Sequence, residues 1–204
     1  MKTNIYLSSL KASFSGQYRE AGVDEVGRGC LAGPVVAAAV VLPLHFEHPV
    51  LRDSKKIANT QHQSLAEEIK GLALDWAVAM ASVSEIARYN IAGASMLAMH
   101  RALAALQPAP ELILVDGNRF VPFSFVPHRC IVKGDNTFFS IAAASVLAKA
   151  YRDRLMRQLH RAFPQYGWHD NVGYPTAAHR QALKNIGPSP WHRRGFKGVM
   201  EKND

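Results

Sequence analysis

The chain has 204 residues, 48% of them apolar and 20% charged, which is enough to fill the core of one domain and rules out wholesale disorder. No run approaches the roughly 18 unbroken apolar residues of a membrane span; residues 1–20 lack the apolar stretch of an export signal; and two cysteines, Cys30 and Cys130, supply neither a disulfide framework nor a zinc cluster, so a reduced cytoplasm is the expected compartment. The net charge of +8 is uneven, with 13 basic and 12 acidic side chains in residues 1–148 but 11 and 4 in residues 149–204.

In chain order, Val23 opens a strand that ends in Gly27-Arg28-Gly29. Val35–Leu42 follows as a continuous apolar run closed by Pro43, the pattern of a buried strand. The two are expected to pair as a hairpin. A polar loop then carries Asp53-Ser54-Lys55-Lys56. Thr60–Gly71 is predicted helical, with Leu65 and Ile69 on one face, and Ala73–Met80 is predicted as a strand. Ser82 with Glu85 three positions on forms a capping box that starts a short helix. Ile91–Leu106 is a stronger helix that ends before Pro108. Leu112–Gly117 reads as a short buried strand with Asp116 at its C-terminal end, and Cys130–Val132 as another. A long helix over about Asn136–Arg161 stops before Pro164, and a last helix covers Thr176–Asn185. A hairpin block followed by strands alternating with helices predicts an α/β sheet covered by helices, with a helical C-terminal portion. That portion holds most of the positive charge. It is either a solvated surface or a surface for a polyanion, since each phosphate contact releases a condensed counterion.

Acidic side chains stand at three strand ends. Asp24-Glu25 lies where a strand meets a glycine turn, Asp116 closes a strand of aliphatics, and Asp135 lies between a strand and the long helix. In α/β sheets such positions build the site. Neighbouring ionised acids repel, and burial raises the cost, so the arrangement asks for a compensating cation. Mg²⁺ or Mn²⁺, which prefer oxygen ligands, is the natural one. Bland alternatives stand beside this reading: Asp135 as a charge favouring a helix start, Asp116 as a turn aspartate. Asp153, flanked by Arg152 and Arg154, is expected to make a surface ion pair. Most histidines, His179 and His192 among them, are expected at the surface, and Trp76 and Trp168 are read as packing residues. Gly27 and Gly29 lack a Cβ and would let backbone approach a sugar, whose 2′-hydroxyl both donates and accepts.

Ala21-Gly22-Val23-Asp24-Glu25-Val26-Gly27-Arg28-Gly29 resembles the opening motif of bacterial ribonuclease HII. The resemblance continues, in the family's order, through Asp53-Ser54-Lys55-Lys56, Val115-Asp116-Gly117-Asn118, Val132-Lys133-Gly134-Asp135, Ser140–Lys149, Phe163–Gly167 and Gly173-Tyr174-Pro175-Thr176. It covers roughly residues 20–197 and leaves 1–20 unmatched. It implies a single ribonuclease H-like domain with a mixed central sheet, and an endonuclease that cuts the RNA strand of RNA–DNA hybrids. It further implies incision 5′ of ribonucleotides embedded in duplex DNA, leaving 3′-hydroxyl and 5′-phosphate ends. By position, Asp24, Glu25, Asp116 and Asp135 take the catalytic, metal-binding places. Two divalent ions there would activate a water and stabilise charge on the phosphate. Gly27, Arg28 and Gly29 take the place of the loop that reads the ribose 2′-hydroxyl, Tyr174 that of the residue packing on the adjoining sugar, and Lys55 that of a phosphate contact. Arg193, Arg194 and Lys197 are expected to contact phosphates. Cys30 departs from the family's usual proline, and Asn136–Phe139 is bulkier than the family's pattern. No membrane partner is expected, protein partners stay open, and a monomer is expected. A basic hybrid-binding module without catalysis, needing the positive arm but not the acids, is the competing reading, with another metal nuclease on the same fold behind it.

Overall fold

The structure is a computed structural model, and it describes residues 10–51 and 61–200. The predicted Asp53–Lys56 loop, Lys55 included, lies outside the described residues. Five strands form one sheet: β1 (Glu20–Val26), β2 (Val35–Val41), β3 (Asp75–Ala81), β4 (Leu112–Asp116) and β5 (His128–Ile131), in the order β3-β2-β1-β4-β5. The expected hairpin is present, with Asp24 opposite Ala38 in an antiparallel pair, and β3 extends it antiparallel. On the other side β4 runs parallel to β1, with Val23 opposite Val115, and β5 parallel to β4. The sheet is therefore mixed. The register places Asp24 and Asp116 one step beyond the Val23–Val115 pair, side by side at the same end of two parallel strands.

Helices cover both faces because β2 is buried on both. Its alternate side chains Val36, Ala38 and Val40 pack under α1 (His62–Leu72) and α3 (Phe139–Ala162). Val35, Ala37, Ala39 and Val41 face the opposite way, onto α2 (Val83–Ala104). The two helices predicted over 82–106 form one bent element. Ser82 and Glu85 make the capping box at its start. Asn90, with φ 57°, breaks the helix and caps the second part through Oδ1, which accepts from the amides of Ala92 and Gly93. The long helix starts three residues later than predicted, because residues Gly134–Asn136 form a separate 3₁₀ turn. The bulky Phe138 and Phe139 are buried and pack against Phe14 and Phe46. After α3 come a second 3₁₀ turn, a four-residue helix α4 (Trp168–Asn171) and α5 (Ala177–Ile186), which share a smaller core with Leu31, Ala32 and Met156. Trp168 packs there, fully buried, and Trp76 packs on the edge strand under the Lys70 ammonium, more than a third exposed.

One close approach sets the position of α3. A Cβ on Gly22 would collide with the backbone of Ser140 and Ile141 at the start of that helix. Neither partner is a flexible side chain, so strand and helix would have to separate. Gly22→Ala is expected to destabilise the protein by about 2–4 kcal/mol, as overpacking against rigid backbone does. Urea unfolding, read as a shifted midpoint at constant slope, checks this.

Candidate active site

Asp24 is the first acid that the fold commits. It sits near the end of β1 on the face turned to α3, only 7% exposed, and the Ser145 hydroxyl of α3 hydrogen bonds to it. Burial pushes its carboxyl well above the ordinary range, and the nearby charges of Glu25 and Asp116 push it further; the Ser145 bond only partly opposes them. Glu25, next along the strand, is raised by burial and by Asp116, and is pulled back by Arg28, whose Nη1 donates to Glu25 Oε1 at 2.9 Å. Asp116 ends β4, and its Oδ1 accepts the Gly134 amide at 2.7 Å. That bond places the 134–136 turn, with buried Asp135 in it, beside the strand end. Asp135 precedes the α3 N-cap, Phe138, by three residues and lies outside the first turn of the helix, so a helix-start charge does not describe it.

Asp24, Glu25 and Asp116 thus interact electrostatically at one end of the sheet, with Asp135 carried there on the adjoining turn. All donors are carboxylate oxygens, the chemistry a hard divalent cation requires. Among the described residues no group of three or more His, Cys, Asp or Glu side chains is already arranged to hold a metal ion. The Glu25 carboxylate is held by Arg28, which offsets part of the repulsion among the acids.

Beside the acids lies the glycine loop. Gly27 has φ +95°, and a Cβ there would strike the Arg152 guanidinium, so this glycine is a requirement of the fold. Gly29 is exposed, and a Cβ added to it would meet nothing within 4 Å, so the fold itself leaves it free. Arg28 is half exposed. Tyr174 is 37% exposed; its carbonyl accepts from His179 Nδ1, and Lys149 Nζ stands 5.8 Å from its ring centre. The Leu31 amide donates to the Gly173 carbonyl at 2.8 Å, which brings the loop and the Tyr174 turn together.

Several expectations fail here. Arg193 is 2% exposed and cannot serve as a surface phosphate contact; its Nη1 donates to the Arg28 carbonyl and its Nε to the Gly33 carbonyl. Arg194 and Lys197 are exposed as expected. Asp153 is buried and pairs with Lys149 at 2.9 Å, not with its neighbouring arginines. His179 and His192 are buried. Ser145 and Arg152 had a signal in the sequence: Ile141, Ser145, Ala148, Arg152 and Met156 recur at helical spacing, so a polar residue on that stripe faces inward. His192 and Arg193 lie in an irregular segment with no such period.

Residues 21–199 match the Ribonuclease HII family. The chain belongs to that family. Ribonuclease HII of Porphyromonas gingivalis is 52% identical over 183 residues, covering 90% of this chain and 91% of the relative. In fold, the chain is similar to the crystal structure of ribonuclease H2 from Pyrococcus horikoshii OT3, with TM-score 0.73 and 24% identity over 88% of this chain and 94% of that one. It is also similar to the Bst ribonuclease HIII structure in complex with Mn²⁺, with TM-score 0.64 and 21% identity over 95% of this chain and 69% of that one. The expected ribonuclease H-like α/β fold is the one observed. Membership makes the chain a ribonuclease H, a metal-dependent hydrolase and endonuclease, and sets aside the binding module without catalysis. No helix among the described residues is long and apolar enough to cross a membrane.

The raised carboxyl of Asp24 gives a stability prediction. An acid whose folded pKa exceeds its unfolded value costs stability as pH rises from the ordinary carboxylate range through the folded value. Without metal, Asp24→Asn is expected to melt higher than the parent at pH 7.5. The difference should shrink toward zero near pH 4, where the parent's Asp24 holds its proton. Melting curves in chelator across that range check both the sign and the window.

Proposed function

We propose that this ribonuclease H cuts the RNA strand of RNA–DNA hybrids and incises 5′ of single ribonucleotides in duplex DNA, with Asp24, Glu25, Asp116 and Asp135 as the metal-holding carboxylates. The observation that carries the reading is the mutually repelling set of buried Asp24 with partly buried Glu25 and Asp116 at the ends of two parallel strands, beside an exposed glycine. Two divalent ions bound there, Mg²⁺ or Mn²⁺, would supply an activated water and stabilise the leaving oxygen, giving 3′-hydroxyl and 5′-phosphate ends. That the similar Bst protein was solved in complex with Mn²⁺ supports a divalent metal.

The chain's own residues do the rest. Arg28 holds Glu25 through its 2.9 Å pair, and a cation bound there would take over that charge neutralisation. Ser145 fixes the rotamer of Asp24 from the α3 side. The exposed Gly29 lets backbone N–H and C=O reach a 2′-hydroxyl, and the Tyr174 ring packs on the next sugar. Arg194 and Lys197 contact phosphates, which position the duplex without reading the sugar. Lys55 belongs to the same proposal by its motif alone. The matched span acts as one catalytic unit.

Asp24→Asn, Glu25→Gln and Asp116→Asn are each expected to lower cleavage at least about 1000-fold while hybrid binding in Ca²⁺ persists. Full activity in any of them removes that residue from the site. Asp135→Asn is expected to retain partial activity. Gly29→Ala adds a methyl the fold tolerates, so its effect reports the substrate directly. It should lower cleavage about 5- to 150-fold on a duplex with one ribonucleotide, the cost of one or two hydrogen bonds of about 1–3 kcal/mol in total, and less on a full hybrid. Tyr174→Ala should show the same asymmetry and Tyr174→Phe little change. Equal losses on both substrates would assign loop and ring to general positioning.

A further inference from the structure

The irregular segment after α5 holds two buried polar residues in succession, and each reaches a different half of the proposed sugar-reading site. Arg193 reaches the glycine loop. Its Nη1 donates to the Arg28 carbonyl at 3.0 Å, its Nε to the Gly33 carbonyl at 2.9 Å, and its own amide to the Leu31 carbonyl at 2.8 Å. His192 reaches the Tyr174 turn through a chain of bonds whose directions are fixed. The Ser189 amide donates to His192 Nδ1 at 2.9 Å, so the proton of neutral His192 is on Nε2. That Nε2 lies 3.0 Å from His179 Nε2, which also accepts from the Trp168 indole at 3.2 Å. His179 therefore carries its proton on Nδ1 and donates it to the Tyr174 carbonyl at 2.9 Å.

We propose that His192 and Arg193 are positioning residues that hold the Gly27–Gly29 loop and Tyr174 at the fixed separation one ribonucleotide requires. The inference rests on the sugar-reading role given above to those two elements. Its physical basis is that both struts leave adjacent residues of one chain, so neither half moves without the other. The strut needs both imidazoles neutral, since a second proton would set two donors against each other. Burial and the neighbouring His179 hold His192 at about 4, and burial and Arg180 lower His179; Tyr166, whose ring lies 4.6 Å from His192, is the other titratable group against the pair. The pair is thus neutral across the neutral pH range. Arg193 directs its Nη1 and Nε donors to backbone carbonyls, and so differs from Arg194 beside it, which is exposed to solvent.

The test compares Arg193→Lys, His192→Leu and His192→Gln with the parent on two duplexes, one with a single ribonucleotide and one a full hybrid, and measures binding in Ca²⁺ against salt. Arg193→Lys keeps the charge but loses the two-pronged grip. Arg193→Lys and His192→Leu are each expected to lower kcat/KM about 10- to 100-fold on the single ribonucleotide and less than about threefold on the hybrid. His192→Gln, which restores a far donor, should recover most of the loss. The salt slope should stay at the parent's value, whereas loss of a phosphate contact would remove roughly one unit from it. Equal losses on both duplexes, or a lowered slope, would overturn the proposal. A measurement on the unaltered protein stands if the variants fold poorly. The amides of Leu31 and Tyr174 should exchange with deuterium as slowly as those of α3; exchange as fast as an exposed loop would overturn it. Equal losses for Gly29→Ala and Tyr174→Ala would instead defeat the sugar-reading role itself, while the exchange result would still report whether the two elements are held.

Discussion

Arg152 is fully buried, and its guanidinium is satisfied by three backbone carbonyls, those of Ala32, Pro34 and Val172. A buried cation without such partners would cost several kcal/mol, so the three segments must converge on it. Two of the carbonyls lie just past the glycine loop and the third just before Tyr174. The same guanidinium fills the space where a side chain at residue 27 would stand. One residue of α3 thereby fixes the shape of the loop, its distance from the C-terminal segment, and the need for glycine at its first position. The cost of burial is met by carbonyl dipoles, and the result is a rigid floor under an exposed Gly29.

The acidic half of the site depends on α3 as well, by a different constraint. Gly22 lets the helix start touch β1, and that contact carries Ser145 to Asp24 and the 134–136 turn to Asp116. The sheet contributes the rest through direction alone: only a parallel β1–β4 pair brings the ends holding Asp24 and Asp116 together. Burial and mutual repulsion raise the proton affinities of Asp24 and Glu25, and the Arg28–Glu25 pair offsets part of that effect. A divalent cation held there, as proposed above, would relieve that repulsion.

The charge of the C-terminal quarter divides into two kinds. Arg152 and Arg193 are interior and bind carbonyls, and Lys149 is mostly buried against Asp153. Arg194 and Lys197 face solvent and remain available to phosphates. A count of basic residues treats these alike, although only the second kind adds to the salt dependence of binding. The buried arginines, Arg152 and Arg193, serve instead to hold the loops of the site.

What the sequence determined by itself was local. The continuous apolar run of β2, the capping box at Ser82, the inward stripe of α3 and the carboxylates at strand ends each follow from neighbours within a few residues, and the family was legible in the resemblance of the ordered motifs. The break at Asn90 and the turn before α3 shifted boundaries without changing elements. What only the tertiary structure decided were the partners of buried polar groups. Whether an arginine meets phosphate or carbonyl, whether a histidine is wet or locked between an indole and a second imidazole, and whether a glycine is needed for the fold or left open to a substrate depend on segments far apart in the chain. Burial of a polar group is settled by what arrives to satisfy it, and residue type and spacing do not record that arrival.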